Sequence, residues 1–558
     1  MPKRLTPQTT LDSLKKDAKR WLKAVRAGDM DALERLRTLH PKAGAEPGLR
    51  EVQHALARDY GYEGWPALKE ELATRALGRL SPAERADIVL HHVWNGDLTA
   101  ATRLASRYPE IAHDSLLTAI VFGDLDGVKR HLSEGPAAAT RKGGPLDWEP
   151  ILYLAYGRLP VPAFAENSLA MANLLFDHGA DPNAFFDDGW GNPFKVLTGV
   201  IGLGEGVRPP HPRAIEMARL VIERGADPYD TQTLYNTSIV NDDIFWLDFL
   251  YNACEARGTT ARWHEASRGL GGKLKLPAID YLLGNAVAYD HLRRADWLLD
   301  HGADPNGPHA YSGRKLREEA MVYGHMEMAA LLERYGAETT PLPAPVEFQA
   351  ACVTLDRDRA GEIARQHPEC LAHAGPMLIA ARKGRADIVA LLLDLGMNVD
   401  VMDQGEIRGI HLAAGNNAID VAKLLIEHST DIDRPTKHYG GAMGFASHFG
   451  HREMLDFLAP QSRDVWNLAY EGYTGRLAEL FAEDPSLVNA PHARMGATPL
   501  FFLPDDEERA IDMAEFLLAH GADTRVRNKE GETPEQTARK RGLDDAADVI
   551  RDGGLGAG

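Results

Sequence analysis

The tripeptide Gly-Ala-Asp/Glu recurs along the chain and constrains its fold more than any other feature. Two of the spacings between copies are 336 − 302 = 34 and 429 − 396 = 33 residues. A pattern that returns at such a period indicates a repeat architecture, in which each unit buries its apolar face against its neighbours. The copies begin at Gly179, Gly225, Gly302, Gly336 and Gly521, with degenerate versions at Gly396 and Ser429.

Apolar residues keep a fixed position relative to this marker. The residues four and five positions before it are apolar in every copy, for example Leu175 with Leu174 and Leu332 with Leu331. A smaller residue such as Ala172 stands seven positions before it. These offsets fall on one stripe of an α-helix, and the glycine then supplies a left-handed C-cap. The pattern therefore predicts an all-α chain.

A shorter helix is predicted before each of these helices. Residues 533–536 (Thr-Pro-Glu-Gln) place a hydroxyl at the N-cap and proline at the first helical position, as do residues 81–84 (Ser-Pro-Ala-Glu). Tight turns such as Gly123-Asp124 then lead into the second helix. The predicted unit is a helix, a turn, a second helix, a glycine stop and a loop.

These units resemble ankyrin repeats. The resemblance rests on Gly-Ala-Asp-Pro-Asn at 179–183 and 302–306, His-Leu-Ala-Ala at 411–414 and Thr-Pro-Leu at 498–500. It covers about residues 81–551, although most first helices lack the full Thr-Pro-Leu-His opening. It implies an all-α ankyrin-repeat solenoid of about fourteen helix-pair units. It also implies a scaffold that binds a protein through its concave face and its finger loops, which join one pair to the next.

The chain divides into three predicted segments. Residues 1–79 lack the phase of the repeat but carry helical patterns of their own, and they resemble the N-terminal region of many bacterial ankyrin proteins. We expect this segment to be a helical domain that caps the first repeat. Residues 80–551 form the solenoid, and the Gly-rich residues 552–558 are expected to be a flexible tail.

The charge balance disfavours nucleic acid and anionic lipid as partners. The formal net charge is −19 and the sequence pI is near 5.6, so the overall field repels phosphate groups. The first helix is a local exception, and we interpret its cations as a solvated face. They are Lys15, Lys16, Lys19, Arg20, Lys23 and Arg26.

Cysteine usage and hydropathy favour a cytoplasmic protein. Cys254, Cys352 and Cys370 are odd in number and widely spaced, which is typical of a reducing compartment. The first ten residues are polar, and no apolar run approaches the length that a bilayer requires. We therefore expect no membrane span.

Enzyme motifs were sought without success. The sequence lacks His-Glu-x-x-His, Gly-x-Ser-x-Gly and any cysteine pair at metal-ligand spacing. His448 and His451 are three positions apart, but His451 follows a glycine at a turn between helices, where ankyrin repeats use histidine for hydrogen bonding. We expect no catalytic residue, no metal and no cofactor.

Residues 145–270 interrupt the repeat and are the candidate binding region. Additional residues enter near 159–167, 202–212 and 253–277, and aromatic residues are concentrated there. Loops that lengthen on a repeat scaffold often lie on the binding face, where aromatic anchors can form a hot spot. Alternatively, these rings fill gaps between irregular repeats. The candidate binding residues are Trp148, Tyr153, Tyr156, Phe185, Phe186, Asp187, Asp188, Trp190, Arg208, His211 and Tyr235.

Three functions remain open at this point. The leading hypothesis is a protein-interaction scaffold with an unidentified protein partner. The second is a small-molecule or enzymatic pocket in which Asp187, Asp188, Arg208 and His211 converge beside the aromatic residues. The third is an acidic spacer. The sequence specifies neither the partner nor the oligomeric state.

Overall fold

The computed structural model describes residues 3–555 apart from 7, 8, 45, 46, 78, 79, 95–97, 188, 190, 207 and 267–273. It divides the chain into two compact units. The central unit is Thr74–Val346, and the terminal unit combines Met1–Ala73 with Glu347–Gly558. Both ends of the chain therefore belong to one unit.

The central unit is built from helix pairs, as the repeat predicts. Consecutive first helices contact each other along the series. The pairs among the described residues are α5 (Pro82–Trp94) with α6 (Leu98–Arg107), α7 (Leu116–Phe122) with α8 (Leu125–Glu134), α9 (Pro150–Tyr156) with α10 (Pro162–Asp177), α11 (Val196–Ile201) with α12 (Ala214–Glu223), α13 (Thr231–Ser238) with α14 (Phe245–Ala256), α15 (Ala278–Tyr289) with α16 (Leu292–Asp300), and α17 (Leu316–Val322) with α18 (Met326–Arg334).

The predicted apolar phase and glycine stop are confirmed in these pairs. Ala172 and Leu175 are buried in α10, which packs against α12 of the next pair. Gly179 and Gly225 follow these two helices with φ angles of 91° and 114°. Side chains other than glycine rarely adopt that region, so glycine at these positions ends the helix without strain. Equivalent second helices therefore supply each other's interior.

One finger loop of the central unit is a β-hairpin. Strands β1 (Phe185–Asp187) and β2 (Pro193–Lys195) pair antiparallel, with Phe186 opposite Phe194. Smaller fingers close with single bridges, Gly143 to Trp148 and Pro308 to Lys315. In contrast, only a short turn joins α12 to α13.

The terminal unit continues the same arrangement. Its sixth pair has a 3-10 turn, Pro499–Phe501, in place of a first helix. The pairs are α19 (Ala344–Val353) with α20 (Arg357–Gln366), α21 (Gly375–Arg382) with α22 (Ala386–Asp394), α23 (Gly409–Gly415) with α24 (Ile419–Glu427), α25 (Ala442–His448) with α26 (Arg452–Leu458), α27 (Val465–Glu471) with α28 (Thr474–Glu483), the turn with α29 (Glu507–Ala519), and α30 (Pro534–Lys540) with α31 (Asp544–Leu555).

The N-terminal helices pack against the last repeats of this unit. They are α1 (Leu11–Arg26), α2 (Met30–Leu39), α3 (Leu49–Asp59) and α4 (Trp65–Leu77). Helix α3 contacts α29, and the indole N–H of the buried Trp65 donates to Asp545 of α31 at 3.4 Å. The sequence led us to expect a cap on the first repeat. The contacts above are with the last two pairs, and the Thr74 carbonyl of α4 also accepts the hydroxyl of Tyr108, which follows α6 of the first pair, at 2.9 Å.

Ion pairs join the N-terminal helices to α29 and α31. Four cations of the basic face of α1 are exposed, as expected, namely Lys16, Arg20, Lys23 and Arg26. In contrast, Lys15 is largely buried against Asp545, and Lys19 is partly buried. The pairs are Lys15–Asp545 at 2.7 Å, Lys19–Asp548 at 3.0 Å, Arg26–Glu515 at 3.1 Å, Arg50–Asp512 at 2.7 Å and Lys69–Glu507. A hydrogen bond of 2.7 Å also joins the His54 ring to Glu508.

The last helix extends into the segment expected to be a flexible tail. Helix α31 ends at Leu555, and Asp552 accepts a hydrogen bond from Lys19 at 3.1 Å. Residues 556–558 lie outside the described residues. Across the described part of the chain, every helix is too short or too polar to cross a bilayer.

Candidate binding cavity

Aromatic rings join the fingers of the central unit to α9. The Trp148 and Phe186 rings stack with centroids 4.1 Å apart, and Phe186 contacts Tyr156 edge to face at 5.3 Å. The buried Tyr153 hydroxyl donates to the Gly143 carbonyl at 2.8 Å, and the Tyr156 hydroxyl donates to the Lys195 carbonyl at 2.9 Å. These four candidate residues therefore fix two neighbouring fingers on the helix behind them.

The tip of the β-hairpin contributes less than the sequence suggested. Phe185 points away from the cluster and is 54% exposed. The Asp187 carboxylate accepts the backbone N–H groups of Gly189 and Gly191 at 2.7 and 3.2 Å, which stabilises its own turn. Asp188 and Trp190 lie outside the described residues.

A cavity of about 420 Å³ lies where α11 and α13 meet the hairpin and the loop 202–208. Its aromatic lining is Tyr156, Phe194, Tyr235 and Tyr311. Its polar lining is Asn192, Thr198, Glu205, Arg208, Gln232 and Asn236, and Gly202, Leu203, Gly204 and Gly206 complete it.

Buried amide side chains form the floor of the cavity. Gln232 donates to the Asn236 side-chain oxygen at 2.9 Å, and Asn236 donates to the Gly202 carbonyl at 3.3 Å. The Gly204 N–H returns a bond to the Asn236 carbonyl at 3.1 Å. Each amide group still has hydrogen-bonding capacity beyond these contacts. The floor therefore offers neutral donors and acceptors to a ligand.

A buried carboxylate lies beneath this floor. Asp230 is 1% exposed and accepts hydrogen bonds from the Thr198 and Thr233 hydroxyls, both at 2.8 Å. Burial raises the pKa of Asp230, and the hydroxyl groups oppose that shift without cancelling it. Asp230 thus stabilises the start of α13 and does not reach the cavity itself.

Arg208 is an exposed cation at the edge of the cavity. Its guanidinium lies 5.6 Å from the centroid of the Tyr156 ring, and one N–H group reaches the Tyr156 carbonyl at 3.4 Å. Among the described residues, no carboxylate lies within ion-pair distance of Arg208. Glu205 of the same loop instead accepts the Tyr235 hydroxyl at 2.7 Å.

A second guanidinium lies behind Arg208. Arg158 donates to the carbonyl oxygens of Pro209, Ala155, Gly157 and Gly199 at 2.6 to 2.9 Å. Burial, together with repulsion from Arg208, lowers the pKa of Arg158 to about 10. Arg158 remains charged at neutral pH, so it adds positive potential while four of its five N–H donors are occupied.

His211 does not take part in the cavity. Its ring is 2% exposed, and Nδ1 accepts the Arg213 backbone N–H at 3.0 Å. Burial, reinforced by Arg158 and Arg213, lowers the pKa of His211 to about 3, so the ring is neutral. The second hypothesis required Asp187, Arg208 and His211 to converge, and they do not, because Asp187 stabilises a turn and His211 packs inside the core.

The cavity includes three of the candidate residues from the sequence, Tyr156, Arg208 and Tyr235. Sequence reasoning missed Phe194, Thr198, Gln232, Asn236, Glu205 and Tyr311. One signal was available: residues 231–238 (Thr-Gln-Thr-Leu-Tyr-Asn-Thr-Ser) are mostly polar, whereas the first helices of the neighbouring pairs, α11 and α15, are mostly apolar. Buried polar groups require hydrogen-bond partners, so a polar helix at a core position indicates a site lined by polar groups.

Helix pairs that end at left-handed glycines and are joined by finger loops define a repeat stack of the ankyrin type. Residues 377–469 match the family model described as ankyrin repeats (3 copies). YahD of Escherichia coli (strain K12), itself provisionally named as an ankyrin repeat protein, is 25% identical over 187 residues, which cover 31% of this chain and 92% of YahD. These two comparisons support an ankyrin-repeat protein, and ankyrin repeats generally mediate protein–protein interaction.

Proposed function

We propose that this protein is an interaction scaffold whose partner places an extended peptide segment in the cavity between the β-hairpin and the loop 202–208. The observation that carries this proposal is the amide floor made by Gln232 and Asn236. A side-chain amide has one acceptor and two donor hydrogens, which matches the hydrogen-bonding groups of a peptide backbone. A peptide backbone that lies over the floor can therefore make the hydrogen bonds that the displaced water made with Gln232 and Asn236.

The walls suit the side chains of such a segment. Phe194 and Tyr235 are half-buried and Tyr311 is 45% exposed, so each presents ring surface to a ligand at little ordering cost. Interfaces obtain most of their affinity from a few aromatic and arginine anchors near the centre. Tyr235 and Arg208 line this cavity together, which gives the segment both kinds of anchor.

A steric block tests the proposal without removing any native contact. Gly206 lines the cavity, and a Cβ atom added to it would meet no other atom within 4 Å. Gly206→Trp therefore fills the cavity without straining the loop. Gly475→Trp is the matched control, because Gly475 is also open to added atoms and lies in α28 of the terminal unit.

The peptide ligands for this test come from a displayed library of random peptides that is selected for binding to the immobilised wild-type chain. We expect the selected peptides to bind the wild type and Gly475→Trp equally, and to bind Gly206→Trp at least tenfold more weakly. Equal binding to all three proteins, or a library that yields no peptide above background, would contradict docking in this cavity.

A further inference from the structure

Among the residues that the structure describes, Arg208 has no carboxylate partner, although the protein is acidic. The chain carries a net charge of −19, and many described arginines, such as Arg224, Arg262 and Arg357, lie against a carboxylate. The neighbouring Arg213, for example, pairs with Glu216 at 2.9 Å. Arg208 lies at the cavity with only an aromatic ring and one long carbonyl contact.

The groups around Arg208 increase this positive potential instead of neutralising it. Arg158 lies close enough to Arg208 for the two charges to repel, and four of its five N–H groups donate to carbonyl oxygens. Glu205 is held by the Tyr235 hydroxyl. Asp230 is buried below Thr198, and burial favours its neutral form. Arg208 therefore retains a positive charge and N–H donors that an anionic group of a ligand can bind.

We propose that the partner segment places a carboxylate on Arg208, against the Tyr156 ring, while its backbone crosses the Gln232–Asn236 floor. This inference rests on the proposed function and specifies the chemistry of the ligand. A guanidinium binds a carboxylate through two parallel hydrogen bonds, and partial desolvation beside an aromatic ring strengthens them.

A carboxylate fits this cavity better than a phosphate group. A phosphate carries up to two negative charges and is usually held by several cationic or backbone donors. Here one guanidinium is accessible, because four of the five N–H donors of Arg158 are already occupied by carbonyl oxygens. The carboxylate can belong to an aspartate or glutamate side chain or to the C-terminus of the partner. Synthetic peptides in which each of these carboxylates is replaced by an amide distinguish the two sources.

The test is a double-mutant cycle on the full chain with the tightest peptide from the selection described above. Each acidic residue of that peptide is replaced in turn by its amide, and a further version has an amidated C-terminus. Dissociation constants are measured by fluorescence anisotropy on the wild type and on Arg208→Gln. Arg213→Gln is the control, since it removes a nearby arginine that already has a carboxylate partner.

One peptide change is expected to weaken binding to the wild type about tenfold, the size of a charge-assisted hydrogen bond. The same change should have no further effect on Arg208→Gln, and Arg213→Gln should behave like the wild type. A loss confined to an internal residue assigns the carboxylate to a side chain, and a loss confined to amidation assigns it to the C-terminus.

Equal binding of all peptide versions to the wild type would overturn the inference, as would equal losses on Arg208→Gln and the wild type. Thermal melting of Arg208→Gln verifies that the variant is folded. The proposed function fails separately: if Gly206→Trp abolishes binding while Arg208→Gln does not, peptide docking stands and the carboxylate assignment falls. Normal binding to Gly206→Trp would contradict both peptide docking in the cavity and the assignment of a carboxylate to Arg208.

Discussion

The Lys15 ammonium lies 2.7 Å from the Asp545 carboxylate, so a residue of the first helix pairs with a residue of the last. The Asp545 side chain is 1% exposed, and it also accepts the Trp65 indole N–H. Burial alone would lower the pKa of Lys15, but the hydrogen bond and the charge of Asp545 raise it overall. The contact therefore stabilises the charged amine and fixes where the N-terminal helices dock.

Asp545→Asn should destabilise the terminal unit by about 2 kcal/mol, because it leaves Lys15 partly buried without its counter-charge. Asp544→Asn should change the stability by less than about 0.5 kcal/mol, because Asp544 is exposed. Urea unfolding measures both changes. Hydrogen exchange locates them, and we expect faster exchange at 507–519 and 544–552 in Asp545→Asn. Faster exchange at 82–107 instead would support a cap on the first repeat.

Acid should weaken the neighbouring ion pairs that Asp548 forms with Lys19 and Arg539. Burial raises the pKa of Asp548, but hydrogen bonds from Arg539 and Lys19 lower it below the ordinary value of 3.8. A carboxylate whose folded pKa is depressed stabilises the fold above its unfolded pKa, and that contribution is lost as the pH falls through the folded pKa. The urea midpoint of the terminal unit should therefore fall between pH 4 and pH 2, by less in Asp548→Asn, with Asp544→Asn as control. An identical decline in all three proteins would contradict the assignment.

Two adjacent phenylalanines should respond differently to truncation. Phe186 stacks on Trp148 and Phe194, whereas Phe185 is mostly exposed. Phe186→Ala should destabilise the hairpin by about 2 kcal/mol, less than for a fully buried ring, and Phe185→Ala by less than about 0.5 kcal/mol. Hydrogen exchange of the β2 amides provides the measurement. Equal protection in the two variants would mean that the stack does not hold the finger.

The central unit should lose stability on mild acidification because of His211. Burial lowers its folded pKa to about 3 from the ordinary 6.5, so the unfolded state binds more protons between these values. Stability then falls as the pH is lowered, by about 1.4 kcal/mol per pH unit within the window. From pH 6.5 to 5 the wild type should lose about 1.5 kcal/mol more than His211→Gln. Parallel losses would show that the ring is accessible to protons.

The local fold could be predicted because each repeat carries its own signals. Leu175 and Gly179 define a second helix and its end within a few residues, and the same apolar and glycine positions recur in neighbouring units. The partner of Lys15 could not be predicted, since no local pattern relates the first helix to Asp545. The phase of the repeat predicts a cap at the nearest repeat, whereas α1 and α3 form ion pairs with α29 and α31.

The cavity was predictable only in part for a similar reason. The aromatic residues indicated the right region. Which of the two phenylalanines packs against the cluster depends on the alternation of side chains along β1. That alternation is set by the pairing of Phe186 with Phe194, which the sequence alone does not specify. Gln232 and Asn236 belong to a helix whose polar sequence is ordinary for a surface. Only the stacking of α13 between its neighbours makes these amides a buried floor.

Hydrogen exchange of the full chain with and without a selected peptide tests the docking site most directly. Docking in the cavity predicts slower exchange in the loop 202–206 and in α13, with no change in α28 and no protection in Gly206→Trp. Protection confined to other surfaces, or protection that persists in Gly206→Trp, would contradict it.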